Sequence, residues 1–530
     1  MTVQPESLTS RFLSKQWSFF WAGIGFGIAQ IIYMVVLWAG SWDKGKDAVS
    51  KPITVTTDLG KMFRAMELQI TQWLGATDLQ IYGAGLDGAA STGGAFLPGV
   101  GWPIIGMMIG GFLVAKMERE SRTWVKYSTR MLWVSFLGGI LFSYGTRLAG
   151  GCTLNHLLGG LPMMNIHSTV TVVMMAIGGA LAFLFMGKLK LADNFKHQET
   201  RSYVANADAG EQSLYDPNYR PTRRPIFWAS LIFLVLFFGI AIYGGIFSPE
   251  NLQHLKNDGL IAFGKSVDAE GWFYVLGTLG AGIIGGFAMA KSGFGTECAL
   301  VSAEVAESMT KKDSIYARMG VPKITRTLMR GYLPMIGVMA HWVVMLGFMV
   351  LAWILFDIAP GFAGKLKYQL TMGNVIGGLL LGGGAVLLIG CEIRSYMRVG
   401  LGYLNTWVGL MGFAVGYLPF TLFYGEHKEF LASTVMLPQY KFYELVSDNV
   451  LVHKAILLGL WVLILVGLVW MVRRGAQNTG AQKNEILFSN TEDLQLGIEV
   501  EAGKNDGRIG GVTAPMPVPA MIPASVTRQT

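Results

Sequence analysis

The sequence predicts an all-α polytopic membrane protein with about ten spanning helices and with re-entrant hairpins between some of them. Three observations predict this fold class: the composition, repeated apolar segments of spanning length, and glycine-rich segments that end in a cysteine. Of the 530 residues, 52% are apolar and only 14% are charged, and the mean hydropathy is +0.44. These values lie far from the averages of soluble domains, so the bilayer is the expected solvent.

Ten segments have the length and apolarity of spanning helices. About 20 apolar residues are needed, because each residue of a helix rises about 1.5 Å and the hydrocarbon is about 30 Å thick. The predicted spans are residues 16–40, 100–116, 130–148, 168–188, 225–245, 271–291, 331–355, 372–390, 402–424 and 451–472.

Basic residues predict the orientation of these spans. Lysine and arginine are concentrated after the second, fourth and sixth spans, whereas the intervening loops hold only scattered lysines. Because basic loops stay in the cytoplasm, we expect both termini to be cytoplasmic and the protein to lie in the inner (plasma) membrane. The net charge of +8 is explained by these loops and does not indicate a nucleic-acid partner.

The remaining segments divide the chain into three regions. Residues 1–15 form a cytoplasmic N-terminus without a signal-peptide cleavage site, so the first apolar run is expected to be retained. Residues 16–472 form the transmembrane transport domain, with an outer loop at 41–98 and a cytoplasmic loop at 189–224. Within the outer loop, residues 59–74 have the pattern of an amphipathic helix lying on the membrane surface. Residues 473–530 are predicted to be a disordered cytoplasmic tail that ends in a proline-rich segment.

A repeated pattern indicates broken helices. The run from Gly145 to Cys152 aligns with the run from Gly384 to Cys391, which places glycines and a cysteine in register. The two runs leave their spans at opposite faces, as in the inverted repeats of transporters. We interpret residues 149–164, 292–309 and 390–402 as re-entrant segments, named hairpins 1, 2 and 3, the first entering from outside and the others from the cytoplasm.

Close packing of helices is an alternative explanation for the glycine-rich segments. Small residues let spanning helices approach closely, and many of the 69 glycines have this role. Backbone that is not helical at membrane depth must instead be buried in protein or line a cavity, because lipid cannot satisfy its polar groups. The Gly-to-Cys spacing, found twice and followed each time by polar residues, favours segments that line a path.

The polar side chains of the hairpins favour a negatively charged solute. Arg147 precedes hairpin 1, where it either serves the path or extends to the interface. Hairpin 3 places Arg394 and Arg398 one helical turn apart, with Glu392 as a potential partner for either. Hairpin 2 follows Lys291 and leads into a helix whose N-terminus suits an anion. The candidate substrate-path residues are therefore Arg147, Cys152, Asn155, His156, Cys298, Cys391 and Arg394.

Each of the three cysteines lies in one of the hairpins. A thiol is a weak donor with a polarizable surface, so it suits brief contact with a soft sulfur anion. Any one cysteine alone is better explained as a small core residue, but three cysteines in three suspected hairpins favour the path. Three cysteines are too few for a disulfide framework. A metal site is not indicated either, because the sequence has no CxxC spacing and His156 is the only histidine close to a cysteine. We expect no cofactor and no catalytic residue.

The motifs from Gly150 to Gly160 and from Gly390 to Gly400 resemble those of the YeeE/YedE sulfur-transport family. The resemblance covers roughly residues 100–424, with Asn155 standing where the family often has glycine. It implies an hourglass-shaped permease that carries thiosulfate or a related sulfur or selenium compound inward. It also implies substrate contacts for Cys152, Cys391 and Cys298, and a cytoplasmic sulfur-carrier partner of the TusA type.

Two functions of other classes compete with a permease. A membrane-bound sulfur-transfer or redox protein would form persulfides on its cysteines and would need a thiolate of depressed pKa. An anchor subunit of an electron-transfer complex would need paired histidines at haem-ligand depth. His167 lies at a predicted span end and His341 is alone in its span, so the sequence gives no support to the anchor.

Overall fold

The computed structural model describes most of the predicted membrane region. It describes residues 16–42, 51–53, 55, 59–60, 62–63, 101–117, 127–188, 220–247, 261–262, 265–266, 269–293, 295, 323–361, 366–388, 390–490 and 494. Hairpins 1 and 3 lie within these residues, whereas Cys298 and most of hairpin 2 lie outside them.

The described elements are almost entirely helical. The helices are α1 Phe19–Trp42, α2 Trp102–Met117, α3 Thr129–Ala149, α4 Ile166–Lys188, α5 Pro225–Phe247, α6 Ala269–Ser292, α7 Lys323–Arg330, α8 Leu333–Phe356, α9 Met372–Leu388, α10 Glu392–Leu401, α11 Leu404–Leu422, α12 Tyr424–Ser433, α13 Val450–Thr479 and α14 Lys483–Phe488. A π-helix covers Leu154–Gly160, and single 3₁₀ turns cover Pro221–Arg223, Leu366–Tyr368 and Phe442–Leu445.

Two small antiparallel pairs complete the described elements. Strand β1, Ile261–Ala262, pairs with β2, Lys265–Ser266, and β3, Leu370–Thr371, pairs with β4, Val435–Leu437. The second pair joins the segment before α9 to the segment after α12. It therefore links the beginning of α9 to the segment that follows α12.

Each of the ten predicted spans contains a described helix, but fewer than ten meet the length and apolarity of a spanning helix. Among the described residues six helical segments qualify, and a bent pair formed by α11 and α12 makes seven. One of the six runs from α9 into α10. Helix α2 has 16 residues, which is about 24 Å of helix and less than the hydrocarbon thickness. Helix α3 is long enough, but its serines and Arg147 lower its mean hydropathy.

The surface of the described helices supports membrane insertion. Large apolar side chains are exposed along α13, α8 and α5, where Leu463 is 67% exposed, Leu355 66% and Val235 63%. A soluble protein rarely exposes apolar surface on this scale. Lipid tails remove the cost of that exposure, so the fold is that of an all-α polytopic membrane protein.

Helices α3 and α9 form the centre of the fold and run antiparallel. Gly138 of α3 lies against Leu388 at the end of α9, and Gly377 of α9 lies against Ala149 at the end of α3. Helix α4 runs parallel to α9, and α11 runs parallel to α3, again with glycines at the contacts. Because these glycines have no side chain, the backbones approach each other closely.

Gly382 of α9 provides a test of this packing. A Cβ on Gly382 would overlap the carbonyl oxygen of Met175, whereas a Cβ on the adjacent Gly383 would lie 3.6 Å from the oxygen of Gly178. We expect Gly382→Ala to lower the unfolding free energy by about 1–3 kcal/mol, because backbone must move. Gly383→Ala is the matched control and should leave stability nearly unchanged. Thermal unfolding in detergent measures both, and equal effects would contradict the packing.

Two predicted segments differ from the structure. Leu59, Met62 and Phe63, the first described residues of the amphipathic segment, are at most 1% exposed. The prediction that they lie on the surface is wrong, because Phe63 stacks on Phe237 of α5. The predicted tail also begins too early, since α13 continues to Thr479 and is followed by α14. Most of the tail after residue 490 lies outside the described residues.

Candidate functional site

Hairpin 1 begins at a glycine that ends α3. Gly150 has a positive φ of 79°, and a Cβ on it would overlap the carbonyl oxygen of Lys367. Both features require glycine, which closes the helix in the left-handed conformation. The chain then passes Cys152, which is fully buried, and enters the π-helix. The glycine pair thus places a thiol immediately beyond the end of a helix.

The polar residues of hairpin 1 lie in the interior. The Cys152 thiol donates to Asn155 Oδ1 at 3.5 Å. His156 Nδ1 lies 3.1 Å from the hydroxyl of Ser168, and the same hydroxyl lies 3.2 Å from His167 Nε2. All of these side chains are at most 6% exposed. Hairpin 1 therefore buries a thiol, an amide and an imidazole, those of Cys152, Asn155 and His156.

Asn374 of α9 fixes the end of α3. It is not among the site residues predicted from the sequence. Its side-chain amide donates to the Ala149 carbonyl at 2.9 Å and to Thr171 Oγ1 at 3.2 Å. Its Oδ1 accepts from the backbone N–H of Thr371 at 2.8 Å. A carbonyl at a helix end needs a hydrogen-bond partner. The position of Asn374, a polar residue in the first turn of an apolar span, was the sequence feature that could have identified it.

Removing the Asn374 amide should loosen hairpin 1. We expect Asn374→Ala to lower the unfolding free energy by about 1–3 kcal/mol, since it leaves the buried Ala149 carbonyl and the Thr371 N–H without this partner. Asn374→Asp keeps the acceptor and loses only the donor. Thermal unfolding together with protease sensitivity near residue 150 checks the expectation. An alanine variant as stable as wild type would contradict the anchoring role.

The far end of hairpin 1 is held by the segment before α13. The backbone of Asn165 forms a bridge with Lys441, Ile166 N–H donates to the Tyr440 carbonyl at 3.0 Å, and Phe442 N–H donates to Met164 at 3.0 Å. Lys441 is only 4% exposed, and its ammonium donates to the Pro360 carbonyl at 2.7 Å. Burial lowers the pKa of Lys441 to about 8, although Glu444 acts in the opposite direction.

Hairpin 3 also begins at the end of a helix. Cys391 is the N-cap residue of α10 and is fully buried. Helix α10 has ten residues, which is about 15 Å and too short to span by itself. Gly409, near the beginning of α11, lies against the Leu388 side chain at the end of α9, so the intervening segment leaves and returns to neighbouring helices.

Helix α10 buries an unusual number of charged groups. Glu392 is fully buried, Arg394 is 2% exposed and Arg398 is 3% exposed. The Tyr396 hydroxyl donates to Glu392 Oε1 at 2.6 Å, so this carboxylate has a phenol partner that was not predicted. Ionised groups inside a membrane protein are costly and mark functional positions.

Hairpins 1 and 3 belong to the same buried core. Cys152 of hairpin 1, Cys391 and Tyr396 of hairpin 3 and Tyr417 of α11 all lie in one cluster of buried residues. Tyr396 is fully buried and Tyr417 is 2% exposed. The fold therefore packs the thiol segment that follows α3 and the charged segment that follows α9 into one interior.

Arg147, immediately before hairpin 1, packs against α11. Its guanidinium lies 4.5 Å from the centre of the Tyr417 ring and 5.9 Å from that of Phe420. The backbone of Gly60 covers it so closely that a Cβ there would overlap the guanidinium. The aromatic faces stabilise the cation through their quadrupoles, and its role in a path stays a prediction.

The described charges of the site favour an anion. Arg147, Arg394 and Arg398 lie close to hairpin 1 or within hairpin 3, and Lys291 at the end of α6 is fully buried. Helix α6 packs against α10. Glu392 is the acidic residue that α10 contributes. In a low-dielectric interior an excess of positive charge attracts a small anion strongly.

The structure brings together six of the seven predicted site residues in two hairpins and their flanks. Arg147, Cys152, Asn155 and His156 lie in or beside hairpin 1, and Cys391 and Arg394 lie in hairpin 3. Cys298 lies outside the described residues, so its position stays a prediction. Tyr396 and Tyr417 were not selected, because buried tyrosines in an apolar sequence cannot be distinguished from ordinary core residues.

Comparisons with known proteins identify the family. No curated protein and no solved structure matches the chain. A family model described as sulphur transport matches residues 2–181 and 317–502, well over half of the chain. Both hairpins described above lie within the matched regions. The resemblance seen in the two Gly-Cys motifs is thereby confirmed, and the chain belongs to the YeeE/YedE sulphur transport family.

Proposed function

We propose that this protein is a permease that imports a small sulfur-containing anion, with thiosulfate as the first candidate, along a path lined by cysteine thiols. Membership of the family indicates transport of a sulfur compound, and therefore a transporter and not an enzyme. The observation that carries the proposal is the burial of Cys152 of hairpin 1 in the same core cluster as Cys391 and Tyr396 of hairpin 3, whose helix α10 also buries Glu392, Arg394 and Arg398.

The chemistry of these groups suits passage and not storage. Thiosulfate carries two negative charges and a soft terminal sulfur, so arginines attract it and thiols contact it weakly. A thiol makes a weak hydrogen bond, and weak serial contacts allow an ion to leave as readily as it enters. Cys152 and Cys391, both buried at helix ends, would provide two such contacts in succession.

The proposal includes an inverted repeat. In the alignment of the two Gly-to-Cys runs, Ala149 corresponds to Leu388, and the same register pairs Gly138 with Gly377. The contact of Gly138 with Leu388 is then the counterpart of the contact of Gly377 with Ala149. Such an exchange is what a two-fold axis in the membrane plane produces. It supports hairpins that enter from opposite faces and an hourglass with its waist between them.

The location and the partner follow from this direction of transport. With both termini in the cytoplasm of a cell whose inner (plasma) membrane holds the protein, hairpin 1 opens to the outside and hairpin 3 to the cytoplasm. An imported sulfur anion then reaches the cytoplasmic face, where a sulfur carrier of the TusA type would receive it. Both statements stay predictions.

Uptake in whole cells tests the proposal. In a strain that lacks other thiosulfate importers, expression of the protein should produce uptake of ³⁵S-thiosulfate that excess unlabelled thiosulfate abolishes and excess chloride does not. Uptake equal to that of cells with an empty vector would contradict import of thiosulfate. Mass spectrometry of the protein after exposure to thiosulfate separates the alternative function, because a persistent persulfide on Cys152 or Cys391 indicates a sulfur-transfer protein.

A further inference from the structure

An apolar cavity lies between helices α3, α5 and α11. Its volume is about 590 Å³, within the usual range of ligand pockets. Helices α3, α5 and α11 form its walls through Leu132, Phe136, Ile226, Val408 and Met411. Leu132 and Val408 are each 4% exposed and form its floor, where Gly412 brings α11 against the Phe136 backbone. We call this cavity the α3–α5–α11 groove.

One end of the groove is basic. Arg224 lines it directly, and its Nη1 donates to the Tyr127 carbonyl at 2.7 Å, which fixes the guanidinium there. Arg220 and Arg223, in the turn before α5, are exposed, as is Arg130 in the first turn of α3. The groove thus has arginines where α3 and α5 begin and apolar walls along their length.

This end also lies at the depth of lipid headgroups. Helices α3 and α5 both begin there, and the loops that precede them are among those predicted to be cytoplasmic. Trp133 and Trp228 are 62% and 51% exposed within the first turns of the same helices. Tryptophan is enriched at membrane interfaces, so these residues mark the boundary between hydrocarbon and water.

We infer that the α3–α5–α11 groove binds an anionic phospholipid of the inner leaflet. The apolar walls accept an acyl chain, and the arginines at the end attract the phosphate, as basic pockets between spanning helices do. Neither half of the site is sufficient alone: a free phosphate would leave the apolar walls unused, and a zwitterionic lipid would gain less from the arginines. The residues that line the groove belong to neither hairpin 1 nor hairpin 3.

Lipid binding to the purified protein tests the inference. In dodecyl maltoside, native mass spectrometry should detect tighter binding of dioleoyl-phosphatidylglycerol than of dioleoyl-phosphatidylcholine, which has the same acyl chains. The double variant Arg220→Gln, Arg223→Gln should weaken binding of phosphatidylglycerol about tenfold. Met411→Trp fills the groove and should weaken binding of both lipids. Arg473→Gln, at an exposed arginine of α13, is the control and should bind as wild type.

Three results would overturn the inference. Equal binding of the two lipids to wild type would remove the role of charge, and equal losses in the Arg473 control and the double variant would remove the role of position. Stabilisation by inorganic phosphate equal to that by phosphatidylglycerol would indicate a simple anion site. Because Arg220 and Arg223 are exposed, the double variant should fold. It therefore tests lipid binding even if Met411→Trp does not fold.

Discussion

Replacing Cys152 or Cys391 with alanine is expected to reduce uptake of ³⁵S-thiosulfate by about tenfold, and replacing both should abolish it. Each thiol is fully buried at a helix end, and removing it deletes a hydrogen-bond donor from the path while leaving a space of one sulfur atom. A lost hydrogen bond to a charged ligand is worth about 1.5–3 kcal/mol, and about 1.4 kcal/mol corresponds to a factor of ten.

Serine and a distant alanine variant provide the controls. Cys152→Ser and Cys391→Ser keep a donor and should retain more uptake than the alanine variants, with a lower affinity for the soft sulfur. Ser230→Ala removes a hydroxyl from a fully buried side chain of α5, away from the hairpins, and should transport as wild type. Full uptake by both alanine variants at equal amounts of membrane protein would refute the thiol-lined path.

Replacing Arg394 with glutamine is expected to have an effect of similar size. Arg394 is 2% exposed in α10, and the neutral variant removes one of the buried positive charges of the site while Glu392 remains. The site then attracts an anion less strongly than in wild type. Initial uptake rates should fall by about tenfold or more, the equivalent of one charged hydrogen bond.

Charge and shape are separated by a second substitution. Arg394→Lys keeps the positive charge and loses the planar guanidinium, so it should recover part of the uptake. The control is Arg473→Gln at the exposed end of α13, which should leave uptake unchanged. Equal rates for Arg394→Gln and wild type, with both proteins intact by size-exclusion chromatography, would show that α10 does not contact the transported ion.

Apolar periodicity and basic loops predicted the helices well, because both reflect the solvent around the chain. Each of the ten predicted segments contains a helix in the structure. The number of spans is less predictable, since a helix such as α2 is apolar enough but only 16 residues long. The length of such a helix depends on the helices that pack against it, and the hydropathy of one segment contains no information about its packing partners. The surface assignment was wrong for Leu59, Met62 and Phe63 for the same reason, because these residues are buried and Phe63 stacks on Phe237 of α5.

The hairpins were predictable because their chemistry is local. Gly150 and Gly390 end helices, and a cysteine and polar residues follow within a few positions. The groups that hold hairpin 1 and its flanks come from elsewhere in the chain: Asn374 from α9, Tyr417 from α11 and Lys441 from the segment before α13. Such long-range partners have no pattern of their own in one sequence. Their contribution becomes visible only when the helices are packed.

The glycine contacts between α3 and α9 restrict how the protein can move during a transport cycle. Where backbones touch directly, sliding one helix along the other would drive carbonyl groups into opposing chains at several positions at once. The α3–α9 pair therefore acts as a fixed frame, and opening and closing must come from the short segments that follow each helix. Turnover should then depend on local gating, with no rocking of one half of the molecule against the other.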